Sequence, residues 1–182
     1  MKTMSLDLQP TLENDLVLLR PLAERDFEDL YATASDPAIW AGHPNKNRWQ
    51  REVFLNFFEG AMKSGSAFLI IEKQTGKIIG STRYYDYDAE NKSIFVGYTF
   101  YATAYWGKGI NPIVKRMMLD YIFPFVDTVR FHVGADNLRS QIAVTRLGAT
   151  KVAELEMSYY GEPSRFNYLY ELRKSEYVKA QP

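Results

Sequence analysis

The sequence predicts a mixed α/β domain: a twisted, largely antiparallel sheet of about seven strands flanked by about four helices. Three observations lead there. Residues 66–101 alternate apolar and polar positions between turn-forming clusters, as consecutive hairpins do. Residues 92–134 run strand, helix, strand, the pattern of one crossover joining parallel strands. Two amphipathic segments stand ahead of the hairpins, and another lies near the C-terminus. At 182 residues and 21.0 kDa the chain fits a single domain, 1–182, with its core from 16 to 172.

The elements follow in order. Leu16 to Arg20 reads as a strand closed by Pro21, and Glu24 to Ala34 carries Phe27, Leu30, Tyr31 and Ala34 at helical spacing. Asp36 to Arg48, with Pro37, Gly42 and Pro44, reads as an irregular loop. Trp49 to Met62 places Val53, Phe54, Phe57 and Ala61 on one helical face. Strands are expected at Ser66 to Lys73, Lys77 to Tyr87 and Lys92 to Tyr101, separated by turns at 74–77 and 86–91. Ile110 to Ile122 is a helix whose inward stripe is Ile113, Met117 and Tyr121, and Thr128 to Gly134 alternates as a strand. Asn137 to Arg146 is a helix capped by Asp136 or Asn137 and ended by Gly148. Lys151 to Tyr160 and Phe166 to Arg173 form a last pair of strands around Gly161-Glu162-Pro163, and the polar tail from Lys174 is expected to fray.

Composition removes several function classes. Lys plus Arg number 22 and Asp plus Glu 22, so the basic excess of a general nucleic-acid or membrane-surface binder is missing. A local basic pocket stays compatible with that balance. Cysteine is absent, which excludes a disulfide framework, a thiol nucleophile and Cys-rich zinc sites. With two histidines, His43 and His132, and no His-Glu-x-x-His run, no protein-built metal site is expected. The first ten residues lack the apolar core of a signal peptide and no stretch reaches a membrane span, so a cytoplasmic location is expected.

The most informative segment is Tyr105-Trp106-Gly107-Lys108-Gly109-Ile110-Asn111-Pro112, between a strand and an amphipathic helix. Two glycines allow a tight turn and a close backbone approach, and the helix behind them offers unpaired amides and the positive end of its dipole. Pro112 gives up a donor that the first helical turn leaves unpaired anyway. The combination suits a phosphate or pyrophosphate, with Lys108, Lys115 or Arg116 adding charge; it also suits a ligand-free connection. Neither Gly-x-x-x-x-Gly-Lys-Ser/Thr nor Gly-x-Gly-x-x-Gly occurs, which argues against a P-loop or dinucleotide fold. A second segment, Asn137 to Ala149, sets Asn137 and Ser140 three apart at a helix start, either as a cap and a small surface residue or as a pair facing one ligand.

In this order and separation the two segments resemble the acetyl-CoA-binding core of the GNAT superfamily of N-acetyltransferases, in particular its RimJ/RimL-type branch. The superfamily's Gln/Arg-x-x-Gly-x-Gly/Ala loop falls on Trp106, Gly109 and Asn111, so two of its three positions depart from the pattern. Leu19-Arg20-Pro21-Leu22, Val96-Gly97-Tyr98 and the ending Leu147-Gly148-Ala149 add to the match, which spans residues 16–172.

The resemblance implies transfer of an acetyl group from acetyl-CoA to a primary amine, a protein N-terminus or a small molecule, by direct attack in a ternary complex. It implies cofactor contacts from Trp106, Gly107, Lys108, Gly109, Ile110 and Asn111, from the backbone of Val96, Tyr98 and Phe100, and from Asn137 and Ser140. The strand at 94–101 would part from that at 128–134, leaving a gap for the pantetheine arm. Ser140 would protonate the departing thiolate, because Val144 stands where many relatives carry a tyrosine. Phe95 stands where many carry a glutamate base. Glu156, through water, is then the candidate base, although Glu154 and Glu156 also read as solvated strand charges. Trp40, Trp49 and Tyr84 are the candidate acceptor-binding residues, with His43, Tyr159 and Tyr160 nearby and core packing as the other reading of the aromatics. His132 reads as structural. The partners implied are the acceptor amine alone, with no nucleic acid and no membrane, in a monomer or homodimer. A second function class is a non-catalytic acyl-CoA sensor that keeps the fold, motivated by Phe95.

Overall fold

The structure, a computed structural model, describes residues 5–179. Strands β1 (Leu12–Glu13) and β2 (Val17–Pro21) lead through a 3-10 turn at Glu24–Asp26 into helices α1 (Phe27–Ala34), α2 (Pro37–Trp40) and α3 (Arg51–Ser64). Strands β3 (Ala67–Glu72), β4 (Ile78–Asp88) and β5 (Ser93–Tyr101) form consecutive hairpins. Helix α4 (Ile110–Ile122), β6 (Thr128–Gly134), α5 (Leu138–Arg146), β7 (Thr150–Met157), β8 (Arg165–Arg173) and α6 (Lys174–Lys179) complete the fold. Among the described residues the sheet has eight strands in the order β1-β2-β3-β4-β5-β6-β8-β7, and β5–β6 is its parallel pair.

Two apolar layers clamp the sheet. On one face Ile110, Val114, Met118 and Ile122 of α4 pack with Val144 and Leu147 over Val17, Phe68, Ile94 and Val129, while the expected inward stripe, Ile113, Met117 and Tyr121, lies partly buried at the flank. On the other, Leu30, Trp40, Phe54, Phe57 and Phe58 of the first three helices cover Leu69 and Phe100. Each fully buried Phe or Leu contributes roughly 1.5–3 kcal/mol, so these layers dominate the folding free energy.

Four elements differ from the sequence reading, each for a local reason. Leu12–Glu13 adds an eighth strand by pairing with Leu18 and Leu19. The segment from Asp36 contains a helical turn, because Asp36 accepts the Ala38 amide and Pro37 occupies the first helical position. The tail continues as α6, because Tyr177 stacks on Phe123 at 4.9 Å and donates to Asp120 at 2.6 Å; residues 180–182 lie outside the described part. Strand β7 stops at Met157, after which Tyr159 turns inward against Tyr98.

The feature that shapes the molecule is in β5. Ser93, Ile94 and Phe95 pair with Thr128, Val129 and Arg130 of β6, and no pairing follows. At the same place the β4–β5 register slips by one, from Arg83↔Gly97 to Ser81↔Phe100, so Tyr98 and Thr99 together oppose Thr82. Tyr98 takes φ of 51°, a left-handed conformation that costs a non-glycine residue about 1–3 kcal/mol. This bulge reverses the alternation of the strand. Ile94 and Val96 face α4 before it, whereas Tyr101 faces α4 after it and Tyr98 and Phe100 turn to the α1–α3 side.

A buried lysine holds the bulge in place. Lys115 of α4, 5% exposed, donates to Thr99 Oγ1 at 2.5 Å and to Thr82 Oγ1 at 3.1 Å, and the two threonine hydroxyls are 2.8 Å apart. Burial pushes its amine down from 10.5 to about 7. Above pH 7 the fold therefore holds a neutral amine while the unfolded chain still binds the proton, so this group makes stability rise with pH until about 10.5. The slope is at most about 1.4 kcal/mol per pH unit. Comparing denaturant midpoints at pH 7 and pH 9, Lys115→Met should flatten the wild-type rise; an equal rise in both proteins would contradict the burial account.

Gly80 sets the approach of β4 to the end of β5: a Cβ there would stand 2.1 Å from the Phe100 carbonyl oxygen. That contact is with backbone, which cannot rotate away. Gly80→Ala should lower stability by about 3 kcal/mol in urea unfolding, at the upper end for overpacking; a change below about 1 kcal/mol would contradict the tight register.

Candidate functional site

The parting of β5 from β6 opens a cavity of about 670 Å³ between the two strands, floored by Val96 to Tyr101 on one side and Phe131 to Gly134 on the other. Because β5 has no partner there after Phe95, its backbone groups on that side face the cavity rather than a neighbouring strand. One end is closed by the glycine turn and the start of α4. Gly107 and Gly109 adopt φ of 71° and 76°, and a Cβ at either would meet open space, so it is the backbone conformation that requires glycine. Asn111 accepts a 3.0 Å hydrogen bond from the buried Tyr101 hydroxyl, fixing the helix start to the end of β5.

Helix α5 supplies the adjoining wall. Asn137 caps it, its Oδ1 accepting the Ser140 amide at 3.2 Å; its Nδ2 makes no hydrogen bond among the described residues, and the side chain lines the cavity. The Ser140 hydroxyl, also in the wall, makes no hydrogen bond among the described residues. Gln141 ties the helix back to the carbonyls of Gly134 and Ala135. Arg139 and Arg146, two turns apart, lie on the same side as Arg116 of α4, and Arg139 stacks 3.4 Å over the Trp106 ring, itself hydrogen-bonded to the Tyr101 carbonyl.

The far end is built by the α2–α3 connection and the β7–β8 loop. Pro44 presses onto the end of β6, where a Cβ on Gly134 would stand 2.6 Å from its Cγ. Arg48 is 3% exposed and forms a two-pronged ion pair with Glu162, Nε to Oε1 and Nη2 to Oε2, both at 2.7 Å. Asn45 donates to the same carboxylate, and the Arg48 guanidinium lies against Trp40, Phe57 and Tyr159. Asn56 and Lys63 fasten Tyr160 from α3, so the β7–β8 loop is moored at several points. Removing either partner of such a buried pair costs about 3–5 kcal/mol, since the other charge is left stranded.

His43, in the wall, is pushed down to about 3 by burial and by the Arg48 and Arg139 charges, so its ring is neutral at pH 7. His132 stacks on Phe95 at 4.4 Å and meets the Tyr85 hydroxyl at 3.1 Å, and it too lines the cavity. Burial lowers its pKa as well. Among the described residues no Asp or Glu lines the cavity.

The residues expected to contact a cofactor, Val96, Tyr98, Phe100, Trp106, Gly107, Gly109, Ile110, Asn111, Asn137 and Ser140, all line this one cavity. Lys108 does not: its side chain points to solvent over the Tyr105 ring, and Arg116, Arg139 and Arg146 are the cations facing the cavity mouth. The four acceptor and base candidates are also corrected. Trp40 is 0% exposed and spends its indole N–H on the Ala34 carbonyl, which makes it core. Trp49 is on the outer surface and outside the cavity. Tyr84 faces α4 and donates to the Met118 carbonyl, so strand alternation turns Arg83 and Tyr85, not Tyr84, toward the other face. Glu156 stands exposed on the edge strand β7 opposite Phe166, away from the cavity. Arg48, Arg83, His132 and the Arg139/Arg146 pair were not anticipated. The two-turn spacing of the last pair was the one readable signal.

Comparison with known proteins gives these features a family. The family profile described as an acetyltransferase (GNAT) domain matches residues 17–150. No curated protein matches by sequence. Among solved structures, a GCN5-related N-acetyltransferase from Brucella melitensis is 19% identical with a TM-score of 0.80, over 93% of this chain and 81% of that one. Mycobacterium smegmatis RimJ, in complex with CoA-disulfide, is 18% identical with a TM-score of 0.71, over 92% of this chain and 87% of that one. Spermidine N-acetyltransferase from Vibrio cholerae, in complex with CoA and spermine, is 16% identical with a TM-score of 0.68, over 91% and 99%. A split-sheet cavity closed by a glycine turn, together with a profile match over most of the chain, identifies this protein as a member of the GNAT acetyltransferase family and as an acetyl-CoA-dependent N-acetyltransferase.

Proposed function

We propose that the cavity holds acetyl-CoA with its diphosphate at the Gly107–Gly109 turn and its thioester beside the β5 bulge, where a primary amine attacks directly. The observation that carries this reading is the strand parting: β5 beyond Phe95 is unpaired on the β6 side, and Asn137 and Ser140, whose Nδ2 and hydroxyl make no hydrogen bond among the described residues, line the same cavity. Amides at the start of α4, with Arg116, Arg139 and Arg146, supply the positive field that a diphosphate needs. An amide of β5 near Tyr98 would donate to the carbonyl oxygen as it gains charge, and the rigid bulge keeps that donor in place before the reaction.

The chemistry closes without an external reagent. The amine nitrogen bonds to the carbonyl carbon, the carbon–sulfur bond breaks, and the proton that leaves nitrogen ends on sulfur. Ser140, in the cavity wall, would give its hydroxyl proton to the departing sulfur and recover one from the nitrogen side. With a thiol pKa of about 8.5, sulfur leaves readily, so the help from Ser140 is modest. The acceptor is an amine of a small molecule or of a protein N-terminus.

The test is thiol release from acetyl-CoA with an amine panel. Ser140→Ala should lower kcat about tenfold, the low end for acid catalysis, with acetyl-CoA affinity nearly unchanged. A folded wild-type protein that binds no acetyl-CoA by calorimetry would overturn the proposal.

A further inference from the structure

The charges behind the acceptor end of the cavity do not cancel. Arg48 is neutralised by Glu162, but Arg83 is 4% exposed, lies 3.7 Å over the Tyr98 ring, and donates one 3.3 Å hydrogen bond to the Phe57 carbonyl. No described carboxylate forms an ion pair with it. Two buried guanidiniums thus face one carboxylate. Arg48 uses Nε and Nη2 on Glu162, while Nη1 makes no hydrogen bond among the described residues. Among the described residues no fully buried polar side-chain atom lacks a partner, so Nη1 keeps some exposure, and Arg48 lines the cavity. Beside it stands His43, whose neutral ring has one N–H to give and makes no hydrogen bond among the described residues. Two unpaired donors beside buried positive charge, in a wall with no Asp or Glu among the described residues, suit an anion.

Resting on the acetyltransferase reading, we infer that the acceptor is an amine carrying its own carboxylate, an amino-acid-like molecule whose carboxylate is held by Arg48 Nη1 with His43 beside it. A polyamine or other polycation would bring uncompensated positive charge against buried guanidiniums. A carboxylate restores the balance and orients the amine toward the thioester. Burial, together with the Arg48 and Arg139 charges, keeps His43 neutral, and the same surroundings favour the uncharged amine over the ammonium. An acceptor that leaves its ammonium proton with bulk water as it enters attacks as the free amine, which would let the transfer run with no carboxylate base in the wall.

Matched acceptors decide the matter in the intact protein. Thiol release is measured for free amino acids, for their carboxamides and for spermidine. Each acid should exceed its amide at least tenfold in kcat/KM, with spermidine the poorest. Replacing both members of the ion pair, Arg48→Gln with Glu162→Gln, leaves the net charge of the site unchanged and should bring the acid-to-amide ratio near one; if that variant does not fold, the wild-type ratio alone decides. Amides or spermidine used as well as the acids would overturn the inference and leave the acetyltransferase reading intact, as would an unchanged ratio in the folded double variant. Thiol release with none of these amines, although acetyl-CoA binds, would overturn this inference and leave a protein N-terminus as the acceptor of the acetyltransferase.

Discussion

Strands β5 and β6 run side by side for three residue pairs and then separate, and the rest of the site follows from that separation. An unpaired edge inside a sheet is costly, because its backbone groups need partners. This protein keeps the edge open from both sides. On β5, a bulge at Tyr98 turns the strand away and is anchored from α4 through Lys115, Thr99 and Thr82. On β6, the full-length antiparallel pairing with β8 holds the strand to its other neighbour, and Pro44 seats against its end at Gly134. The strain at Tyr98 is a local cost of about 1–3 kcal/mol, offset by the two apolar layers that fix the sheet.

The anchoring also links the two ends of the cofactor path. Helix α4 begins at the glycine turn and, one turn later, sends Lys115 into the bulge. The backbone that would meet the diphosphate and the backbone that would meet the thioester are therefore parts of one rigid unit. Preset donors of this kind need no rearrangement as charge develops. The acceptor end is held differently, by side chains: the Arg48–Glu162 pair joins the α2–α3 connection to the β7–β8 loop and forms the wall opposite the bulge.

A chain with equal numbers of acidic and basic residues thus contains a cavity whose charged side chains are all basic. The acids lie elsewhere: Asp26 on Arg20, Glu28 on Arg51, Glu171 on Arg130, and Glu154 and Glu156 along β7. Net charge constrains how a protein meets large polyanions, but the field in a cavity depends on which side chains the fold turns inward.

Much of this was legible in the chain itself, where short-range rules apply. Helical and strand periodicity located every long element, left-handed glycines and Pro112 marked the loop ahead of α4, and Asn137 announced the cap of α5. These features arise from contacts within a few residues, so sequence spacing describes them. The aromatic and acidic candidates failed for the opposite reason. Whether Tyr84 or Tyr85 faces the acceptor side, and whether Trp40 lines a cavity or fills the core, depends on pairings between segments far apart in sequence. The Tyr98 bulge reverses alternation inside one strand, and Arg48 meets Glu162 across more than a hundred residues. Sequence alone determined the order of elements and the phosphate-type turn; the inward-facing charges were decided by tertiary structure, because burial and ion pairing are set by which distant surfaces meet.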